Sequence, residues 1–192
     1  MMLENKLMSI LATHHSLSRD LEIVKSLNLP HWCIAAGYVR NFVWDFLHNQ
    51  NKSTPLNDVD VLYYDLLDES ETTEKYYERI LKDKVPQYNW SIKNQARMHI
   101  RNNDKRYESV EEAMMRWPET ATAIGITLDQ DNKLKIIAPY GLNDLFELKI
   151  RKSPLFKEHE YFRTRVSNKN WLKTWPKLEL LGGSIASCLP DV

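Results

Sequence analysis

The order of segments along this chain predicts an α/β (α+β) domain, a small mixed β-sheet flanked by helices. Three observations carry that expectation. Short apolar runs recur at 32–36, 59–64, 90–93, 123–128 and 134–138, the lengths of strands rather than helices. Between the earlier runs lie segments whose apolar residues repeat every three or four positions, the period of a helix with one buried face. The last two runs enclose Asp129-Gln130-Asp131-Asn132, turn-forming residues that favour an antiparallel hairpin.

Taken in order, Leu3, Leu7, Ile10 and Leu11 predict a first helix over 3–12, and Leu21, Val24 and Leu27 a second over about 18–27. Pro30 ends that region, because it donates no hydrogen bond and restricts its predecessor. Trp32-Cys33-Ile34-Ala35-Ala36 reads as a short buried strand, punctuated by Gly37. Apolar residues at 39, 42, 43, 46 and 47 then form a clean helical stripe. Residues 49–57 are polar, include Pro55 and read as a loop. A strand follows over 59–64, then a charged helix over 70–83 with Tyr76, Tyr77, Ile80 and Leu81 as its buried face. Residues 90–93 predict a third strand. Ser109 and Glu112 have the spacing of a capping box, opening a short helix that Trp117-Pro118 stops. After the hairpin, 142–150 reads as one more helix, and 181–192 as a loose tail. The expected organisation is a single domain over 1–180 plus that tail.

Composition narrows the class. With 192 residues the chain can bury one real core, and 43% hydrophobic with 27% charged residues is ordinary for a soluble globular protein. Lys and Arg total 26, as do Asp and Glu, so there is no net field to draw in long nucleic acid. Cys33 and Cys188 match no metal or redox spacing, and Cys33 reads as a small buried hydrophobe. Neither a signal peptide nor a run long enough to cross a bilayer is present. A reduced, cytoplasmic protein with no membrane partner is expected.

The chemistry concentrates in Asp58-Val59-Asp60. Side chains two apart on a strand point the same way, so Asp58 and Asp60 place two carboxylates on one side of one strand. Val59, Val61 and Leu62 supply the apolar cover. Such a pair suits Mg²⁺ (or Mn²⁺), a hard cation usually held by one or two carboxylates plus substrate phosphate oxygens. Asp129 and Asp131 repeat the spelling within a turn. Upstream, Gly37 at a strand-to-helix turn lets backbone N–H groups approach a phosphate. Arg40 lies off the apolar stripe, where it either grips a triphosphate or forms a surface salt bridge with Asp45. Asn41 either caps the turn or contacts a ribose. Lys93, Asn94, Gln95, Arg97 and His99 form a polar run. If extension persists, 93, 95, 97 and 99 share a face. Lys93 and Arg97 then meet phosphate while Asn94 or Gln95 reads a base edge or sugar; otherwise the run is a solvated edge. Trp117, Trp171 and Trp175 sit among helical-period apolar residues and read as packing residues.

Gly37-Tyr38-Val39-Arg40-Asn41 followed by Asp58-Val59-Asp60-Val61 resembles the GGxVRD…DxD pattern of the nucleotidyltransferase superfamily, in particular the head domain of tRNA CCA-adding enzymes and bacterial poly(A) polymerases. Pro55-Leu56-Asn57-Asp58-Val59-Asp60, the run from Trp90 to His99 and the run from Pro139 to Phe146 look like a bacterial family of nucleotidyltransferase-like proteins, over about residues 15 to 178. The resemblance implies the polymerase-β-type nucleotidyltransferase fold, with Asp58 and Asp60 as metal-binding catalytic carboxylates. It also implies an NTP held by Gly37, Tyr38, Arg40 and Asn41, and it inclines Lys93, Asn94 and Arg97 toward function. Three departures stand out. Gly37-Tyr38 replaces a pair of small residues, Asn41 replaces the aspartate of the VRD triplet, and no third carboxylate is evident on the 90–94 strand. The implied activity is transfer of a nucleoside monophosphate from an NTP to a small-molecule or protein acceptor, since no separate RNA-binding body is visible. The alternative is a degenerate module that binds nucleotide without turnover.

Overall fold

The computed structural model describes residues 2–182. Two amphipathic helices, α1 (Met2–Leu11) and α2 (Leu17–Lys25), precede β1 (Cys33–Ala35), α3 (Gly37–Leu47) and β2 (Val59–Tyr63). Then come α4 (Glu71–Lys84), β3 (Trp90–Asn94), α5 (Gln95–Arg101) and α6 (Val110–Met114). The remainder is β4 (Gly125–Leu128), β5 (Leu134–Ile137), α7 (Asn143–Phe146), β6 (Lys149–Ile150), α8 (His159–Asn168), α9 (Trp171–Thr174) and β7 (Glu179–Leu180).

A five-stranded sheet runs in the order β3-β2-β1-β4-β5. Only the β2–β3 pair is parallel, and α4 supplies the crossover that a parallel pair needs. The other pairs are antiparallel; in the register Ala35 of β1 lies opposite Asp60, and Ser91 of the parallel neighbour β3 lies opposite it on the other side. Although β1 has only three residues, all are buried, because strands flank it on both sides.

Strand alternation divides the sheet into two unlike faces. Ile34, Val59, Val61, Tyr63, Ile92 and Ile126 join Leu7, Leu21, Val43 and Leu81 in the main core beneath the first four helices. Each such aliphatic side chain contributes about 1.5–3 kcal/mol by leaving water. Cys33, Ala35 and Leu62 belong to the opposite face, covered by Val110 and Met114 of α6. Leu62 therefore shares the face of Asp60 and is buried by α6, rather than by the layer that covers Val59 and Val61. A Cβ at Gly125 would lie 2.8 Å from the Cys33 sulfur, so glycine is required for β4 to pair there.

Three local expectations change. The 142–150 segment is the short helix α7 followed by β6, because Leu148 takes φ +58° and reverses the chain. Extension ends at Asn94, whose side chain accepts the Ala96 N–H (3.1 Å) and caps α5, so residues 93–99 share no extended face. The Ser109 hydroxyl accepts the Glu112 N–H as expected, but the Glu112 carboxylate reaches back to the N–H of Glu108. Of the tail expected from 181, residues 183–192 lie outside the described residues. Leu181 still donates to the Ile150 carbonyl, beside the β6–β7 pair. No helix among the described residues is long and apolar enough to cross a membrane.

Candidate functional site

Asp58 is exposed immediately before β2, and Asp60 is half-buried as its second residue. The strand is held at that point by the Val59 N–H, which donates to Asn89 of the loop before β3. Burial, then the charge of Asp58, pushes the Asp60 carboxyl up to about 6, with Ser91, Arg40 and Arg165 opposing. Neither aspartate enters an ion pair among the described residues. Two adjacent carboxylates without an ion-pair partner among the described residues form a donor set that a divalent cation fits, leaving other positions to water and substrate oxygens. No group of three or more His, Cys, Asp or Glu residues able to hold a metal occurs among the described residues. Across the sheet from Asp60 stands the hydroxyl of Ser91.

The wall facing this pair is cationic. A cavity of about 380 Å³ is lined by Asp58, Asp60, Gly37, Asn41, Arg40 and Thr122, and closed by Arg165, Lys169, Trp171 and Trp175. Arg40 reaches it from the first turn of α3. That helix starts after a sharp bend at Ala36, whose φ of +55° is costly for a residue with a side chain. The Arg40 guanidinium donates to Thr122 Oγ1 (2.7 Å) and Asn41 Oδ1 (2.8 Å), and lies 4.4 Å from the Trp171 ring centre and 5.2 Å from that of Trp44. Burial lowers its pKa to about 10, against the pull of Glu119, so it stays charged at neutral pH. Its Nε has no hydrogen-bond partner among the described residues.

The pairing with Asp45 does not form. Asp45 instead accepts from the Thr54 N–H (2.7 Å), the Thr54 hydroxyl (2.6 Å) and the Trp175 indole N–H (2.8 Å), anchoring the loop before Asp58. Asn41 caps nothing; it is inside α3 and orients Arg40. A Cβ at Gly37 would meet Arg40 Nη2 and Leu56 at 3.7 Å, an ordinary contact, so here the glycine keeps the floor of the cavity open rather than relieving a clash.

Arg165 on α8 and Lys169 just after it were not among the sequence candidates. Arg165 Nε donates to the buried Glu119 (2.7 Å), and its guanidinium lies 5.8 Å from the Trp171 ring centre. Phe162 and Val166 bury the apolar side of α8, so a helical reading of 159–168 exposes 165 and 169 on a neighbouring side. Nothing in the sequence says which distant strand they face. Trp171 and Trp175 do pack as expected, both nearly fully buried, and they also line the cavity.

The structure does not bring the other candidates into this cavity. Tyr38 is buried on the opposite side of α3, where its hydroxyl donates to Asp20 (2.8 Å). Glu74, fully buried in α4, binds Arg97 through both carboxylate oxygens (2.7 Å each), Lys93 (3.2 Å) and the Asn94 N–H (2.9 Å). Lys93 also bonds Glu78 (3.1 Å). The Asn94 amide donates to the carbonyls of Asp65 and Asp68. Lys93, Asn94 and Arg97 therefore tie α4 and the 65–68 loop to β3 and α5. The correction has a physical cause: a buried carboxylate needs cationic partners, and these were the nearest.

A nucleotidyltransferase family model matches residues 22–180. An NMR structure described as revealing a CCA-adding enzyme head domain is 33% identical, with TM-score 0.77, over 88% of this chain and 91% of that one. A tRNA nucleotidyltransferase complexed with a primer tRNA and an incoming ATP analogue shares the fold at 18% identity, TM-score 0.51 and 84% of this chain. A CCA-adding enzyme complexed with CTP does so at 18% identity, TM-score 0.50 and 81% of this chain. The chain spans 46% and 37% of the lengths of those two proteins. No curated protein gives a significant match. By the family match over most of its length, and by the head-domain fold that carries its carboxylate pair, the chain belongs to the nucleotidyltransferase family.

Proposed function

We propose that this protein transfers a nucleoside monophosphate from an NTP to an acceptor hydroxyl, releasing pyrophosphate, in a reaction that depends on Mg²⁺ or Mn²⁺. The observation that carries the reading is the placement of a carboxylate pair without ion-pair partners among the described residues opposite three cationic side chains across one cavity. A metal–triphosphate complex needs both walls. Asp58 and Asp60 would hold the cation, whose chemistry is to neutralise charge on the transferring phosphate and its leaving group.

The chain's own residues do the positioning. Arg40, Arg165 and Lys169 bind the non-transferred phosphates, and the backbone at the start of α3 adds N–H groups of favourable dipole. Trp44 and Trp171 fix the plane of Arg40, so little conformational freedom remains to be lost on binding. The single domain over 1–180, the cytoplasmic setting and a small-molecule or protein acceptor belong to the same proposal.

Ser91 beside Asp60, where a third carboxylate would stand, favours a second reading: a module that binds NTP without turnover. Pyrophosphate release from each of the four NTPs with Mg²⁺ and a broad acceptor screen separates the two. The enzyme reading expects release that Asp58→Asn with Asp60→Asn abolishes. Binding without release supports the module, and the lack of both overturns each.

A further inference from the structure

Asp60 lines two cavities. Further along β2, where Leu62 rather than Asp58 joins Asp60 in the lining and Arg40 takes no part, lies a cleft of about 760 Å³, twice the volume of the first. Its walls include the aromatic side chains of Trp117, Phe156 and Tyr161 and the cations Arg101, Arg116 and Lys157. In-line displacement sets attacking and leaving oxygens on opposite sides of the phosphorus. If the triphosphate lies against Arg40 and Arg165, as proposed above, the attacking oxygen comes from the opposite side, and Asp60 is common to both cavities.

We propose that this cleft is the acceptor site, and that it takes a small molecule bearing a hydroxyl, a planar ring and one anionic group. The ring matches the aromatic wall, where Phe156 and Tyr161 already pair at 5.8 Å. The single anionic group follows from the charge left unspent. Arg116 is held by Asp104 (3.4 Å) and Glu112 (3.8 Å), and Lys93 by Glu74 and Glu78. Lys157 lies 3.7 Å from Asp104 and is 75% exposed, while Arg101 has no ion-pair partner among the described residues. Glu158 adds a further negative charge to the lining. What remains suits one phosphate or carboxylate, whereas a polynucleotide needs a series of unpaired cations along its backbone. In the transfer, the acceptor oxygen bonds to the α-phosphorus and the bond to the bridging oxygen breaks. Pyrophosphate leaves with that electron pair, and the hydroxyl proton passes to water in the cleft.

The test is calorimetric titration of the full chain, saturated with Mg²⁺ and α,β-methylene-ATP. Pyridoxine 5′-phosphate is the small probe, since it combines a planar ring, hydroxyls and one phosphate; the trinucleotide UpUpU is the polymeric one. The small probe should bind alongside the ATP analogue. R101A with K157A, both on exposed side chains, should weaken it at least tenfold and leave the analogue's affinity within twofold. Competition with the analogue, tighter binding of UpUpU, or no effect of the double variant overturns the acceptor site. Failure of the analogue itself to bind the native chain overturns the transferase reading on which this rests, whereas analogue binding without probe binding overturns this inference alone.

Discussion

Asp60 and Arg40 show how one position sets a side chain's chemistry. The Asp60 carboxyl stands at about 6 in the folded chain against 3.8 as its ordinary value. The folded state thus holds the proton more tightly than the unfolded one. The stability this confers is complete below about pH 4 and is lost as pH rises through 6. Metal-free protein should therefore weaken across that window, and Asp60→Asn should remove the loss. With Asp60 part-exposed to solvent, the gain at pH 7 is about 1–3 kcal/mol, measured by denaturation in EDTA across pH. An unchanged pH profile in the variant would refute the assignment. Arg40→Lys keeps the charge but loses the planar fork and the stacking on Trp171, and should weaken NTP binding about tenfold. Both residues were legible in the sequence because each lies in a short local motif. Arg165 and Lys169 were not, being more than a hundred residues from Asp60 with no local pattern that names their partner.

At the scale of elements, two buried carboxylates organise the frame around the site. Glu74 joins α4 to β3 and α5 through Lys93, Arg97 and the Asn94 N–H. Glu74→Ala would take from Arg97 its bidentate partner and leave Lys93 with Glu78 alone, and should cost about 3–5 kcal/mol in chemical denaturation. Arg97→Ala should also destabilise, yet leave the NTP affinity of folded protein unchanged; a large affinity loss would return Arg97 to the site. Asp45 does comparable work for the loop before Asp58 and for Trp175. Asp45→Ala leaves the Thr54 N–H and the Trp175 indole N–H without an acceptor and the Thr54 hydroxyl with only a long bond to Gln50 (3.4 Å), a cost of about 3–5 kcal/mol. Periodicity made most helices and strands readable, since apolar spacing records which side is buried. It failed at 93–99 and 142–150, where a side-chain cap and a left-handed residue redirect the chain.

For the whole molecule, the sheet order brings the first strand–turn–helix unit against the aspartate strand, and the return of α8 and α9 covers α3. Trp44 packs edge-on against Trp171 (5.8 Å) and Trp175 (5.1 Å), so the late helices are pinned over the cavity that the early residues open. The fold class was readable from the alternation of strand and helix periods. The closure was not, because tryptophans at helical spacing report burial without naming the surface they bury. On the proposed function, Asp58 and Asp60 bind NTP through a divalent cation. The decisive measurement is calorimetry with α,β-methylene-ATP, with and without Mg²⁺, on the native chain and on Asp58→Asn with Asp60→Asn. Binding should need Mg²⁺ and be lost in the double variant; equal binding by both chains, or binding indifferent to Mg²⁺, would refute this role of the two aspartates.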